Sequence, residues 1–187
     1  MLLLLSFAFA AARCPSPDPL APFDSDTAPD GAEYQLVEGA EVVCWWIVPD
    51  LGAARIAHRW SKSDRYPLRI ESLADGRAFF VMNDLRVQLR NADDDRYRNL
   101  DLRVHGDPML VLAHSRRDWV AVTSVRDDDT TLVELLDLDR ERVLGSVALS
   151  PTDLAISFVE GDDVLWLDGA HALALTESGL RVREQSP

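Results

Sequence analysis

Trp-Val-Ala-Val-Thr-Ser-Val (119–125), Leu-Val-Glu-Leu-Leu-Asp-Leu (132–138) and Val-Leu-Gly-Ser-Val-Ala-Leu (143–149) follow one another with few residues between them. Leu-Ala-Ile-Ser-Phe-Val (154–159), Val-Leu-Trp-Leu (164–167) and Ala-Leu-Ala-Leu (172–175) continue the series. Each run is apolar or alternating, and rich in residues that pack well on a pleated surface. Each is bounded by Asp, Gly, Ser or Pro, which supply turn geometry. Residues 116–182 therefore predict an antiparallel meander, and the fold class is all-β.

Working outward, the same punctuation recurs upstream. Turn signals stand at Glu38-Gly39-Ala40-Glu41, Ala74-Asp75-Gly76-Arg77, Ser115-Arg116-Arg117-Asp118 and Glu160-Gly161-Asp162-Asp163, each followed by an aromatic-containing strand. From Gly39 the successive steps to Gly76, Arg117 and Gly161 are 37, 41 and 44 residues. A second series runs through Pro49-Asp50, Asn91 to Asp95, Asp137 to Arg140 and Glu177-Ser178-Gly179. Short antiparallel strands with a period of about 40 residues are the signature of propeller blades.

Leu135-Leu-Asp-Leu-Asp-Arg-Glu-Arg-Val-Leu144, followed by Leu149-Ser150-Pro151, resembles the outer hairpin and inter-blade link of WD-repeat-type or related β-propellers. The resemblance covers about 116–183 and implies a propeller-like domain. Gly-His and Trp-Asp signatures are missing and the outer turn lacks its glycine, so that family's Asp-His network is not carried over. The period allows up to four blades, arranged as a small ring or an incomplete arc. An irregular barrel or sandwich is the alternative. Two stretches bear a helical reading. Phe79, Met82, Leu85 and Leu89 are helically spaced, but residues 85–90 alternate strictly and predict a strand. Thr131 and Glu134 have capping-box spacing, yet the turns flanking 131–143 suit a hairpin.

The N-terminus carries a different signal. Residues 2–12 form an apolar run too short to span a bilayer as a helix. Its small-residue end fits a secretory signal, here 1–13, although the basic leader is missing. Cys14 and the proline-rich stretch after it resemble the acylated cysteine and tether of a bacterial lipoprotein. Arg13 departs from that pattern, since the lipobox takes a small residue there. Three fates of Cys14 stay open: lipidation, a disulfide with Cys44 in an oxidising compartment, or removal with the signal. Residues 14–32, with prolines at 15, 17, 19, 22 and 29, read as an extended Pro/Asp-rich linker. Residues 33–183 form the predicted domain and 184–187 a tail. The missing leader also fits a chain that is part of a longer one.

Charge narrows the partners. The 187-residue chain has 32 acidic and 19 basic residues, a formal charge of −13, which opposes phosphate backbones. Nucleic acid is excluded as a partner, and a membrane is expected only through a lipid anchor. His58, His105, His114 and His171 lack metal-ligand spacing, and no Walker, nucleophile-elbow or dinucleotide motif occurs. Asp93-Asp94-Asp95, Asp127-Asp128-Asp129 and Asp162-Asp163 sit at predicted turns. No cofactor or metal is expected, unless two such turns meet to hold Ca²⁺. Adjacent Trp45 and Trp46 point to opposite faces of a strand, so one of them leaves the local core. Trp45, Trp46 and Asp127, Asp128, Asp129 are the candidate interaction surface. The function expected is an exported binding or structural module of the cell envelope, meeting a protein or glycan. The alternative is a secreted, glycosidase-like hydrolase using loop aspartates.

Overall fold

A computed structural model describes residues 13–17, 22–94 and 96–149, and the backbone of strands at 156–158, 164–167, 171–176 and 179–184. Among the described residues, sixteen strands form four antiparallel sheets, each a meander of four, and there is no helix. Sheet 1 holds β1 (Asp24–Thr27), β2 (Glu33–Glu38), β3 (Val42–Val48) and β4 (Arg55–Ser61). Sheet 2 holds β5 (Pro67–Ser72), β6 (Arg77–Met82), β7 (Arg86–Asn91) and β8 (Tyr97–Arg103). Sheet 3 holds β9 (Asp107–Ala113), β10 (Trp119–Val125), β11 (Thr131–Asp137) and β12 (Arg142–Leu149). Sheet 4 holds β13 (Ile156–Phe158), β14 (Val164–Leu167), β15 (His171–Thr176) and β16 (Gly179–Glu184).

These are propeller-like blades. The first strand of each sheet lies against the first strand of the next, β1 by β5, β5 by β9 and β9 by β13, while β8 and β16 flank β12. The strand expected over 85–90 is present as β7, and the hairpin expected over 131–143 as β11 and the start of β12; β11 pairs in register with β10 from Val125↔Thr131 to Trp119↔Asp137. Among the described residues no closed barrel forms, because each meander is a separate sheet.

Alternation explains the layering. One face of sheet 1 (Leu36, Val43, Trp45, Trp60) packs on one face of sheet 2 (Ala78, Phe80, Met82). The other face of sheet 2 (Phe79, Val81, Val87, Leu89) packs on sheet 3 (Val120, Val122, Leu136). The far side of sheet 3 buries Trp119, Ala121, Val133 and Leu135. Near-continuous apolar strands such as Phe79-Phe80-Val81 thus have a sheet on either side. Edge-to-face contacts link Tyr34 to Trp45, Trp45 to Phe80 and Trp60 to Phe80, with centroids 5.2–5.3 Å apart.

The first blade corrects two expectations. Strand β1 lies inside the stretch whose composition reads as linker. Accordingly, the turn equivalent to Gly76 is Asp30-Gly31, not Glu38-Gly39, which lies at the opposite end of sheet 1. The equivalence is detailed. Gly31 and Gly76 both have positive φ, 85° and 82°. Asp30 and Asp75 each accept an amide two residues on, Ala32 at 3.0 Å and Arg77 at 3.1 Å. Ala28 and Leu73 donate to Ala32 and Arg77 in the same way.

Beyond its antiparallel ladder with β2, β1 is fixed against β5 by side-chain chemistry. Asp24 accepts the Ile70 amide at 2.7 Å, and Asp26 accepts both the amide (2.6 Å) and hydroxyl of Ser72. Glu71 accepts the Ala113 amide at 2.7 Å, repeating the device between β5 and β9. The bonded pairs advance together, Asp24 with Ile70 and Asp26 with Ser72, so β1 and β5 run parallel. The first-to-second turns of successive sheets therefore share one end of the molecule.

Candidate functional site

At that shared end, sheets 1 and 2 leave a cleft of about 670 Å³. Its walls come from the β1–β2 turn (Pro29, Asp30), the β5–β6 turn (Ala74 to Arg77) and the β7–β8 turn (Asn91 to Asp94, Arg96). Tyr34, Ile47 and Arg55 line it from the strand ends. Turn residues dominate because each blade contributes the same two hairpin ends here.

The cleft is polar and cross-braced. The Arg55 guanidinium spans the two sheets, donating to the Ala92 carbonyl and to Asp93 Oδ1, both at 2.9 Å. Arg77 bonds Asp75 and reaches Asp118 of the β9–β10 turn at 3.0 Å. Arg96 Nε donates to Asp94 at 2.6 Å, and its hydrogen bonds pull the Asp94 carboxyl below the ordinary carboxylate range. The Tyr34 hydroxyl donates to the Gly76 carbonyl at 3.1 Å. Burial, and then the negative charges of Asp30 and Asp93, raise that phenol to about 12. It stays a neutral donor at any physiological pH.

A second depression of about 410 Å³ adjoins the first and shares Pro29 and Ala74 with it. It lies over the first strands, with Asp26, Glu71, Ser72 and His114 in its lining. Burial, with Asp26 and Asp24 close by, raises the Glu71 carboxyl to about 8, against the amide it accepts from Ala113. Glu71 therefore carries a proton at neutral pH. An acid with a raised pKa in a cavity is a group able to donate a proton.

The sequence candidates fall in different places. Asp93 and Asp94 lie in the cleft. Asp127, Asp128 and Asp129 form the exposed β10–β11 turn at the opposite end, beside a cavity of about 290 Å³ lined with Gly106 and Arg126. Asp128 there caps its own turn by accepting from Thr130, at 3.1 Å from the amide. Asp162 and Asp163 lie outside the described residues. Trp45 is 1% exposed within the core and offers no surface, because its face of β3 meets sheet 2. Trp46 is the outward member, and its indole donates to the Pro15 carbonyl at 3.1 Å. Cys14 and Cys44 are joined in a disulfide, an arrangement in which the Cys14 sulfur has no valence for a lipid.

The histidines are spread out. His58 meets Trp60 edge to face, His105 Nδ1 lies 2.8 Å from buried Glu134, and His114 Nδ1 accepts the Arg116 and Arg117 amides. His171 is in β15. Among the described residues, no three His, Cys, Asp or Glu side chains are grouped to hold a metal ion, and no helix is long and apolar enough to cross a membrane. Sequence reasoning missed Tyr34, Arg55 and Glu71. The equivalence of Asp30-Gly31 with Asp75-Gly76 is the signal that would have placed Tyr34 and Arg55 at the cleft.

The sequence matches no protein-family model and no curated protein. Solved structures do resemble the fold. A candidate 6-phosphogluconolactonase from Bacteroides uniformis is 11% identical, with a TM-score of 0.57 over 93% of this chain and 57% of that one. The nidogen–laminin complex is 15% identical, with a TM-score of 0.60 over 86% of this chain and 64% of that one. Puromycin hydrolase is 12% identical, with a TM-score of 0.55 over 84% of this chain and 26% of that one. The last two include propeller-type folds. The chain spans less than two thirds of each of these proteins, and at such identities the likeness concerns the fold alone.

Proposed function

We propose that this chain is an exported binding module that seats a hydroxyl-rich ligand, a glycan, in the cleft between sheets 1 and 2. One observation carries the reading: the cleft interleaves guanidiniums (Arg55, Arg77, Arg96) with carboxylates (Asp30, Asp93, Asp94) and a neutral phenol. A sugar hydroxyl donates and accepts at once, so such a mixture matches it where a single-sign pocket would not. Export is supported by the Cys14–Cys44 disulfide, a bond that persists in oxidising compartments. The test is an oligosaccharide panel read by calorimetry. A hit should weaken about tenfold or more in Asp93→Asn, which discharges the Arg55 clamp, for a loss of about 1.4 kcal/mol. Binding that is unchanged by both Asp93→Asn and Arg55→Gln would overturn the placement.

Glu71 favours a second reading, a glycosidase-like hydrolase in the adjoining depression. Its acid would be this strand glutamate, already protonated at neutral pH, in place of the loop aspartates. The names of two structural neighbours, a lactonase and a hydrolase, agree with hydrolysis without specifying it here. Turnover of a chromogenic glycoside that vanishes in Glu71→Gln would establish this reading. A blank panel leaves the binding module.

A further inference from the structure

A smaller pocket of about 190 Å³ adjoins the cleft at the β7–β8 hairpin and shares Arg77, Asn91 and Arg96 with it. Its charge is different. Asp30, Asp75, Asp93 and Asp94 line the cleft. Among the described residues that line the pocket there is no carboxylate, and four of the seven are arginine. In a chain with 32 acidic and 19 basic residues, that lining runs against the composition.

Strand register explains it. Phe79 and Leu89 face sheet 3. Arg77 and Asn91, each two residues away along the same strands, turn to that face, and so does Arg98, the cross-strand partner of Leu89. Arg77 there reaches Asp118, and Arg98 Nη2 donates to Glu141 of the β11–β12 turn. Arg96 is held by Asp94. None of these acids lines the pocket. A guanidinium has five N–H donors, and the carboxylates bonded to these three arginines take one or two from each. The acids aim the groups without exhausting them. Arg90, the fourth arginine, turns to the opposite face, where its guanidinium lies over the Trp60 and Tyr97 rings.

We propose that this pocket is an anion subsite, which takes the carboxylate or sulfate of an acidic unit in the glycan seated between sheets 1 and 2. The proposal rests on the glycan reading of that cleft and narrows it to acidic glycans. Planar guanidinium forks match the oxygens of carboxylates and of tetrahedral oxyanions, and charge-assisted hydrogen bonds are the strong ones. Continuity through Arg77 and Arg96 lets one ligand fill both spaces.

The full chain tests this by calorimetry with uronate oligosaccharides, each beside its methyl ester, and sulfated oligosaccharides, each beside its desulfated form. A charged member should bind about tenfold or more tightly than its uncharged counterpart, as expected for one charge-assisted hydrogen bond. Which of the two series shows the preference tells carboxylate from sulfate. Arg98→Gln should remove most of that preference and leave the uncharged forms unaffected, since Arg98 lines the pocket and not the cleft. Glu141→Gln is the control. It breaks the same contact between blades, keeps an acceptor for the Asp101 amide and leaves the Arg98 charge in place, so affinity for the acid should hold or rise. Equal binding of charged and uncharged counterparts, or an equal loss in both variants, overturns the subsite while the cleft reading stands. No binding by any member, charged or uncharged, overturns the cleft reading and the subsite with it.

Discussion

Two adjacent tryptophans show how sharply one strand position divides roles. Trp45 is wedged edge to face between Tyr34 and Phe80, whereas Trp46 lies under residues 13–17 on the other side of the sheet. Trp45→Ala should cost about 3–5 kcal/mol by denaturant unfolding, the range for emptying a core aromatic site. Trp46→Ala should cost distinctly less, about 1 kcal/mol for a lost hydrogen bond and partial burial. Equal costs would contradict the assignment of faces. Glu71 sets a pH dependence of unusual sign. Its folded pKa of about 8 lies above the ordinary 4.5, so between those values the folded state holds a proton that the unfolded state has released. Its contribution is present below about pH 4.5 and is lost as pH rises toward 8. Thermal stability should therefore fall between pH 5 and 8. Glu71→Gln, which keeps an acceptor for the Ala113 amide, should flatten that slope. An unchanged slope in the variant would show that Glu71 is not its source.

At the scale of the element, β1 has a ladder with β2 on one side and is tied by acids to β5 on the other. Four polar residues, Asp-Ser-Asp-Thr, make a strand because Asp24 and Asp26 satisfy amides of β5 that no neighbouring strand covers. Unpaired buried amides are costly. Asp26→Ala removes the acceptor for the Ser72 amide and one acceptor for its hydroxyl, and should destabilise by about 1–3 kcal/mol. Asp26→Asn, which keeps an acceptor oxygen, should recover a large part of that loss. Chemical denaturation of the pair measures both. The same device explains why this strand was illegible. Its pattern is polar, prolines surround it, and nothing in its own residues reveals that their partners lie 46 positions on. Strands with apolar neighbours on both faces, such as β6 and β10, announced themselves because burial dictates their composition.

For the whole molecule, the period of about 40 residues was readable, and the β3–β4, β7–β8, β11–β12 and β15–β16 turns fell where the punctuation put them. The register of blade 1 was not, since Gly39 and Gly31 are both turn glycines and only pairing tells them apart. The cleft was hidden for a related reason. Arg55 and Asp93 form its clamp from different blades, and no local pattern links residues so far apart. The aspartate triplets, conspicuous in sequence, turn out to serve different ends of the molecule. The Cys14–Cys44 bond closes a loop of 30 residues around blade 1, and in the chain-entropy account such a loop stabilises by about 3–4 kcal/mol. Cys14→Ser/Cys44→Ser should lower the unfolding free energy by roughly that amount in chemical denaturation. No change would mean that the bridge constrains nothing.

Order of appearance gives that bridge another meaning. Both sulfurs lie in the first quarter of the chain, ahead of every residue of blades 2 to 4. Where the chain enters an oxidising compartment N-terminus first, β2 and β3 can pair and the bond can close, its two electrons passing to that compartment's oxidant, before blades 2 to 4 have arrived. Blade 1 would then wait with its outer side already shut, leaving its inner side as the surface open to whatever comes next. The next arrival is blade 2, so early closure of one side steers assembly in a single direction along the chain.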